Sequence, residues 1–245
     1  MVEFSFEVPH AHLEDFASYQ DFFFLLGAHL EHKEYYDFHK NQYALGVKQL
    51  WLDNNYNELG EADNICTLAE RAHHIRASKV IIPDDPTWTE EQMWTSYCEA
   101  CFRIAREEIV VVVNNEKMFK SFKERGVTKF ALSYHIRLPH YEAGGKPEDF
   151  LWAKDCHFLG LCSVEELRII NPPTCDTSMP IKLALQNKSL YTWMKEACPH
   201  IHTKDILSTF FDTKMTTEQL ALAKLNINLL KNLVNGGHYN AKNMG

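Results

Sequence analysis

The chain has 245 residues, of which 45% are hydrophobic and 12% aromatic, and this composition suits one large globular domain with a full core. Its net charge of −8 argues against a surface that adheres broadly to nucleic acid or to an anionic membrane, since both require basic surfaces. The longest apolar run, near Phe22 to Ala28, is too short to span a bilayer, and the N-terminus lacks a secretory signal pattern. We therefore expect a cytoplasmic protein with no membrane partner.

Seven cysteines are scattered through the sequence, and this odd number favours reduced thiols over a disulfide framework. Cys98 and Cys101 lie within a helical pattern without a second CxxC pair, so we expect no metal there. Cys198, His200 and His202 form a better cluster, but their spacing matches no common zinc site. We therefore predict a chain without metal or other cofactor, with this cluster as the alternative.

Short apolar runs alternate with helical patterns along the chain. Residues 1–20 show strand-like alternation followed by a turn, and we interpret them as an N-terminal arm. The strands are then predicted at Phe22–Ala28, Val47–Leu52, Lys79–Ile82, Ile109–Val113, Lys129–Ser133, Cys156–Leu159 and Arg168–Ile170. Helices are predicted at Glu31–Tyr43, Ala62–Ala77, Thr89–Glu107, Lys117–Arg125 and Val164–Leu167, a loop at 137–147, and a closing helix at 216–234.

Strands that alternate with helices predict a parallel α/β sheet, and no interruption suggests a second domain. The length and the number of units favour a single (β/α)8 barrel of the TIM type across residues 1–245. A doubly wound open sheet is the alternative, but the glycine-rich turn that usually follows its first strand is missing. The pattern does not assign the eighth strand.

Polar residues recur just after the predicted strands. In a barrel these ends open onto one C-terminal face, where gathered carboxylates could serve acid–base or nucleophilic chemistry. The alternative is that such residues form turns and cap helices, as Asp176 could do before the helix that Pro180 would open. The candidates are Asp53, Asn54, Asp84, Asp85, Asn114, Tyr134, Gly160 and Asp176.

Four short motifs follow one another along the chain: Leu52-Asp53-Asn54 with Glu58 and Gly60, Val80 to Asp84, His157 to Leu161, and Cys175-Asp176-Thr177-Ser178 with Pro180. In this order and spacing they resemble the tRNA-guanine transglycosylase superfamily. The likeness is closer to its shorter branch, associated with bacteriophages and genomic islands, which inserts 7-deazaguanine bases into DNA. It covers roughly residues 21 to 190 and implies a TIM barrel.

The resemblance implies a pentosyltransferase that replaces guanine in a polynucleotide with a modified base. Asp176 falls on the family's nucleophile, which attacks the sugar C1′, while Asp53 falls on its base-binding and proton-handling aspartate. Asp84 falls on a second base-recognition aspartate. At the fourth and fifth strand ends Asn114 and Tyr134 stand where the family often has glutamine and glycine-rich contacts, which leaves the base open. The family's zinc module of three cysteines and a histidine has no counterpart in spacing here.

The resemblance implies DNA and a 7-deazaguanine base such as preQ0 as partners, with tRNA as the alternative substrate. It would place a phage-encoded chain in the host cytoplasm, and it leaves homo-oligomerisation open. Two other hypotheses stay open. One is a barrel N-glycosidase that acts on small nucleosides, and the other is a non-catalytic partner subunit of a transglycosylase. The presence of both Asp53 and Asp176 argues against the second.

Overall fold

The computed structural model describes residues 1–46, 48–56, 60, 62–85, 87–196 and 209–236. Eight parallel strands form one sheet in which each strand pairs with its sequence neighbour from β2 to β8, and β8 pairs with β1. The chain is therefore the single (β/α)8 barrel that the alternating pattern predicts. The strands are β1 Glu3–Phe6, β2 Phe23–Leu25, β3 Leu50–Leu52, β4 Lys79–Ile81, β5 Ile109–Val112, β6 Phe130–Ser133, β7 His157–Leu159 and β8 Thr174–Thr177.

Helices cover the outside of the barrel and bury their apolar sides against it. Several begin at the capping residues that mark helix starts in a sequence; Thr89 and Thr216 each form a capping box with a glutamine three residues later. The α-helices are α1 Leu13–Phe16, α2 Lys33–Ala44, α3 Ile65–Ile75, α4 Glu90–Cys101, α5 Glu116–Glu124, α6 Tyr134–Glu142, α7 Val164–Ile170, α8 Met179–Leu185, α9 Leu190–Lys195 and α10 Thr217–Val234. Short 3-10 turns lie at His10–His12, Ala17–Tyr19, Gly27–Glu31 and Pro147–Ala153.

The first barrel strand comes from the segment that the sequence pattern left as an arm. Residues of β1 pair in register with β8, so that Ser5 lies opposite Asp176. On its other side β1 meets β2 largely through side chains: Ser5 Oγ accepts from the Phe24 amide at 2.9 Å, and Gln20 exchanges two hydrogen bonds with the Phe6 backbone. The unassigned eighth strand is therefore β1, which closes the barrel.

The prediction of a strand at Arg168–Ile170 is wrong, because these residues form the last turn of α7. Ser163 opens that helix with a capping box, and Asn171 ends it in the left-handed region at φ 52°. The strand follows at Thr174–Thr177 and includes Asp176, which was expected just beyond a strand. Thr177 Oγ1 instead accepts from the Met179 amide at 3.0 Å at the start of α8. Asp176 is thus a barrel residue, and the helix-cap interpretation of it is not needed.

The loop predicted from 137 to 147 is largely helical, since α6 continues to Glu142. This helix starts directly at the end of β6, where the Ser133 side chain accepts from the His135 amide. Pro139 lies inside it, and prolines and glycines are the residues that normally predict a loop.

The closing helix α10 ties the two ends of the described barrel together. Lys231 pairs with Asp21 at 2.8 Å, and Asn235 exchanges two hydrogen bonds with the Val2 backbone. Asn226 is fully buried and connects the Leu190 amide to the carbonyl groups of Pro180 and Lys188. Among the helices described, none combines the length and apolar character that crossing a membrane requires.

Candidate active site

Asp176 is buried inside the barrel with one carboxylate oxygen engaged and the other available. Its Oδ1 lies 3.0 Å from His157 Nε2 and accepts from the Gly160 amide at 3.3 Å. No residue in the described part of the chain hydrogen-bonds Oδ2. Two partners on one oxygen restrain the orientation of the carboxylate.

His157, part of the third motif, is the side chain that contacts Asp176 directly. Its ring stacks on Phe24 at 5.5 Å and packs on Trp51 at 4.9 Å. The other ring nitrogen, Nδ1, lies 2.8 Å from Thr174 Oγ1. A neutral imidazole that donates from Nε2 to Asp176 and accepts from Thr174 satisfies both contacts. The sequence signal that could have indicated a role for His157 is a polar residue at the first position of an otherwise apolar strand.

Asp53 lies on the same side of the sheet as these rings. Trp51 contacts His157 across the barrel, so the side chain of Trp51 points inward, and strand alternation turns Asp53 inward too. The Asp53 amide continues the ladder by donating to Leu25 at 2.8 Å, and its Oδ2 accepts from the Asn55 amide at 3.3 Å. The carboxylate is buried one pleat closer to the C-terminal mouth than Trp51.

Asn54 and Asp84 form a hydrogen-bonded pair between the ends of β3 and β4. Asn54 Nδ2 donates to Asp84 Oδ1 at 2.6 Å and to the Ile82 carbonyl at 2.9 Å, while Asn54 Oδ1 accepts from the Tyr56 amide. Burial raises the pKa of Asp84 to about 6, although the hydrogen bond from Asn54 opposes this rise. Asn54, a predicted substrate-binding residue, therefore holds Asp84 in place through its side-chain amide.

Asp85 and Asn114 occupy the rim with different surroundings. Asp85 Oδ1 accepts from the Thr87 amide at 2.7 Å and from the Thr87 hydroxyl at 2.6 Å, so the Asp85 side chain forms an Asx-turn. These hydrogen bonds lower the pKa of Asp85. Asn114 is half-buried two residues after β5. The turn-forming alternative thus accounts for Asp85, while Asn114 keeps its place on the C-terminal face.

Gly160 and Tyr134 pack together beside Asp176. Gly160 has a φ of +72°, and a Cβ placed there would lie 3.1 Å from the Tyr134 Cβ. A glycine is therefore required for two reasons, the left-handed backbone and the close approach of Tyr134. Tyr134 is half-buried at the start of α6, and burial raises its pKa to about 12, so its hydroxyl stays protonated at neutral pH.

Two rings from opposite sides of the barrel meet over the mouth. Tyr56, after β3, and His135, after β6, lie with their centroids 6.4 Å apart in an edge-on arrangement. Both residues follow the carboxyl ends of their strands. A substrate that reaches Asp176 from this face therefore passes close to these two side chains.

A histidine cluster also lies on loops that follow β1 and β2. The centroids of His10 and His32 are 4.9 Å apart, and those of His10 and His29 are 5.0 Å apart. Within the described residues, however, no three histidine, cysteine or acidic side chains are arranged to hold a metal ion. The predicted alternative cluster at Cys198, His200 and His202, like Glu58 of the first motif, lies outside the described residues.

No family model matches the chain, and no curated protein matches it. Solved structures do. The chain is similar to 3-hexulose-6-phosphate synthase from Salmonella typhimurium, with a TM-score of 0.50 and 10% identity over 96% of this chain and 98% of that one. It is similar to a tryptophan synthase alpha-subunit from Pyrococcus furiosus, with a TM-score of 0.51 and 12% identity over 92% and 91% of the two chains. At these identities the likeness shows the barrel fold alone.

Proposed function

We propose that the protein is a pentosyltransferase that exchanges guanine in DNA for a 7-deazaguanine base through a covalent aspartyl-sugar intermediate. The observation that carries this proposal is the Asp176 carboxylate, which is held on Oδ1 by His157 and Gly160 and leaves Oδ2 to react. A fixed carboxylate inside a barrel suits nucleophilic attack at an anomeric carbon. The motif resemblance, which includes Asp176, supports the same role.

The first step forms a bond between Asp176 Oδ2 and the sugar C1′ while the bond from C1′ to guanine breaks. The Asp53 carboxyl group protonates the purine nitrogen that leaves. In the second step the incoming base gives a proton to the Asp53 carboxylate, its nitrogen attacks C1′, and the ester to Asp176 breaks. Each residue returns to its starting state, so the exchange needs no redox partner or metal.

Recognition of the purine is assigned to the pair of Asp84 and Asn54. An ionised carboxylate accepts hydrogen bonds from the N–H groups on the guanine edge, and Asn54 holds Asp84 in place for that contact. Tyr134, Gly160 and Asn114 lie at neighbouring strand ends and are proposed to contact the base. Asp85 is not proposed to contact the base directly, because its carboxylate already accepts from Thr87.

Three alternatives share parts of this site. A tRNA substrate would use the same chemistry, whereas an N-glycosidase would pass the sugar to water instead of a second base. A non-catalytic subunit would need neither carboxylate. The ordered partners of Asp176 favour a catalytic protein over the last alternative.

The direct test is covalent trapping of the polynucleotide. The protein is incubated with guanine-containing DNA or tRNA and preQ0, and adducts are separated on denaturing gels. Asp176→Asn should abolish the adduct without unfolding the protein, and the exposed control Asp155→Asn should retain it. An adduct with tRNA alone selects the first alternative, and release of guanine without exchange selects the glycosidase. A fully active Asp176→Asn protein refutes the mechanism.

A further inference from the structure

A buried ion pair lies directly behind the candidate site. Arg137 in α6 and Glu166 in α7 are both fully buried, and Nη1 of the arginine lies 2.7 Å from Oε2 of the glutamate. Removing two charges from water costs free energy that their attraction only partly restores, so such pairs contribute little to stability.

The Arg137 guanidinium hydrogen-bonds the backbone at the end of β7 and just after it. Its Nη2 donates to the Leu159 carbonyl at 2.9 Å and to the Gly160 carbonyl at 2.6 Å. The guanidinium carbon lies 4.2 Å from the centroid of the Phe158 ring. A planar, forked cation can make these contacts at once, which a lysine ammonium cannot reproduce.

Glu166 secures the next part of the same loop. Its Oε1 accepts from the Cys162 amide at 2.6 Å and from the Ser163 amide at 3.3 Å. Its Oε2 accepts from the Tyr141 hydroxyl at 3.1 Å, which connects the loop to α6. The ion pair thus fixes the loop after β7 at its beginning and at its end.

Gly160 connects this loop to the nucleophile. Its carbonyl is held by Arg137, while its amide donates to Asp176 Oδ1. We infer that Arg137, paired with Glu166, is a positioning residue that holds the Gly160 amide against Asp176 and so directs the free carboxylate oxygen in the exchange. This inference rests on the proposed function, because it assigns the loop a task in the attack by Asp176.

The test separates positioning from folding with two variants. Arg137→Lys keeps a positive charge beside Glu166, but its single nitrogen cannot lie both at the two carbonyls and beside Glu166 Oε2, as Nη2 and Nη1 of the arginine do. The double variant Arg137→Met with Glu166→Leu replaces the pair by apolar side chains, an exchange that buried ion pairs often tolerate. Arg125→Lys is the matched control, because Arg125 pairs with Glu90 at 3.3 Å on a partly exposed surface.

Melting temperature, kcat and KM are measured for each variant in the exchange reaction. We expect the double variant to remain folded and its kcat to fall on the order of 100-fold, the effect of a misplacement of about 1 Å, with KM for the polynucleotide unchanged. Arg137→Lys should fall similarly, and Arg125→Lys should keep full activity.

A folded double variant with full activity overturns the inference and leaves the proposed function in place. A variant that loses kcat only in proportion to its folded fraction overturns it too, since a purely structural role predicts that result. If the unaltered protein shows neither exchange nor adduct, the proposed function itself fails.

Discussion

Replacing Asp84 with asparagine is expected to stabilise the protein at neutral pH. Burial raises the pKa of this carboxyl group from 3.8 to about 6, so the native state binds the proton more tightly than the unfolded chain does. The ionised group therefore destabilises the fold. By linkage, the penalty is absent below about pH 4, grows as the pH rises toward 6, and is complete above about pH 6. A rise from 3.8 to about 6 corresponds to at most about 3 kcal/mol, at about 1.4 kcal/mol per tenfold change in proton affinity.

Urea unfolding of Asp84→Asn and of the unaltered protein between about pH 4 and pH 8 tests this expectation. The free energy of unfolding of the variant should exceed that of the unaltered protein by up to about 3 kcal/mol at about pH 7, and by little at about pH 4. Asp85→Asn is the control, because the hydrogen bonds from Thr87 lower its pKa and the variant should lose slight stability at neutral pH. A difference that does not vary with pH, or a destabilised Asp84→Asn, would refute the reasoning. The stabilised variant should also recognise guanine poorly.

Three further expectations follow from other contacts. His157→Phe keeps the ring packing but removes the hydrogen bond to Asp176; a loss of about 1–3 kcal/mol of transition-state stabilisation should lower activity roughly 5- to 150-fold in the exchange assay. Gly160→Ala should destabilise the fold by more than Gly144→Ala in urea unfolding, since both have positive φ but only Gly160 also has a close neighbour; equal losses would contradict this. Asn226→Ala should lower the free energy of unfolding by about 2–4 kcal/mol, because it leaves several buried backbone groups without partners; an effect below about 0.5 kcal/mol would contradict it.

The sequence predicts best those strands and helices that are marked by short-range patterns, such as β-branched runs and helix-capping residues. The β-branched run of β5 and the capping residues of α4 and α10 depend on short-range geometry, and the predicted starts of these three elements lie within about one residue of the observed ones. The order of strands and helices then leaves few parallel architectures, of which the barrel fits the length.

The two strands that the sequence pattern does not predict, β1 and β8, pair with each other where the first and last strands of the barrel meet. β8 has no apolar run because its inward residues, Thr174 and Asp176, belong to the candidate site. The apolar pair Ile169-Ile170 at the end of α7 gives the strand-like signal instead. β1 resembles an arm because the residues that pair it with β8 lie about 170 positions away, beyond any local signal.

The sequence singles out three carboxylates of the candidate site but not the residues that contact them. Asp53, Asp84 and Asp176 stand out because polar residues at strand ends are conspicuous in sequence. The partners that orient them come from other elements, as His157 does for Asp176. Arg137 is the clearest example of a residue whose role the sequence does not predict. Its contact with the Gly160 carbonyl joins α6 to the loop after β7, and no local pattern indicates such a contact.

Nucleoside mass spectrometry of DNA from cells that synthesise preQ0 tests the central claim most directly. Cells expressing the unaltered protein should contain a 7-deazaguanine deoxynucleoside in their DNA, and cells expressing Asp176→Asn at equal level should not. The modified nucleoside should also be absent when the cells cannot make the 7-deazaguanine base. DNA without any modified nucleoside in cells that contain the folded, unaltered protein, or with equal amounts in the Asp176→Asn strain, would contradict the account.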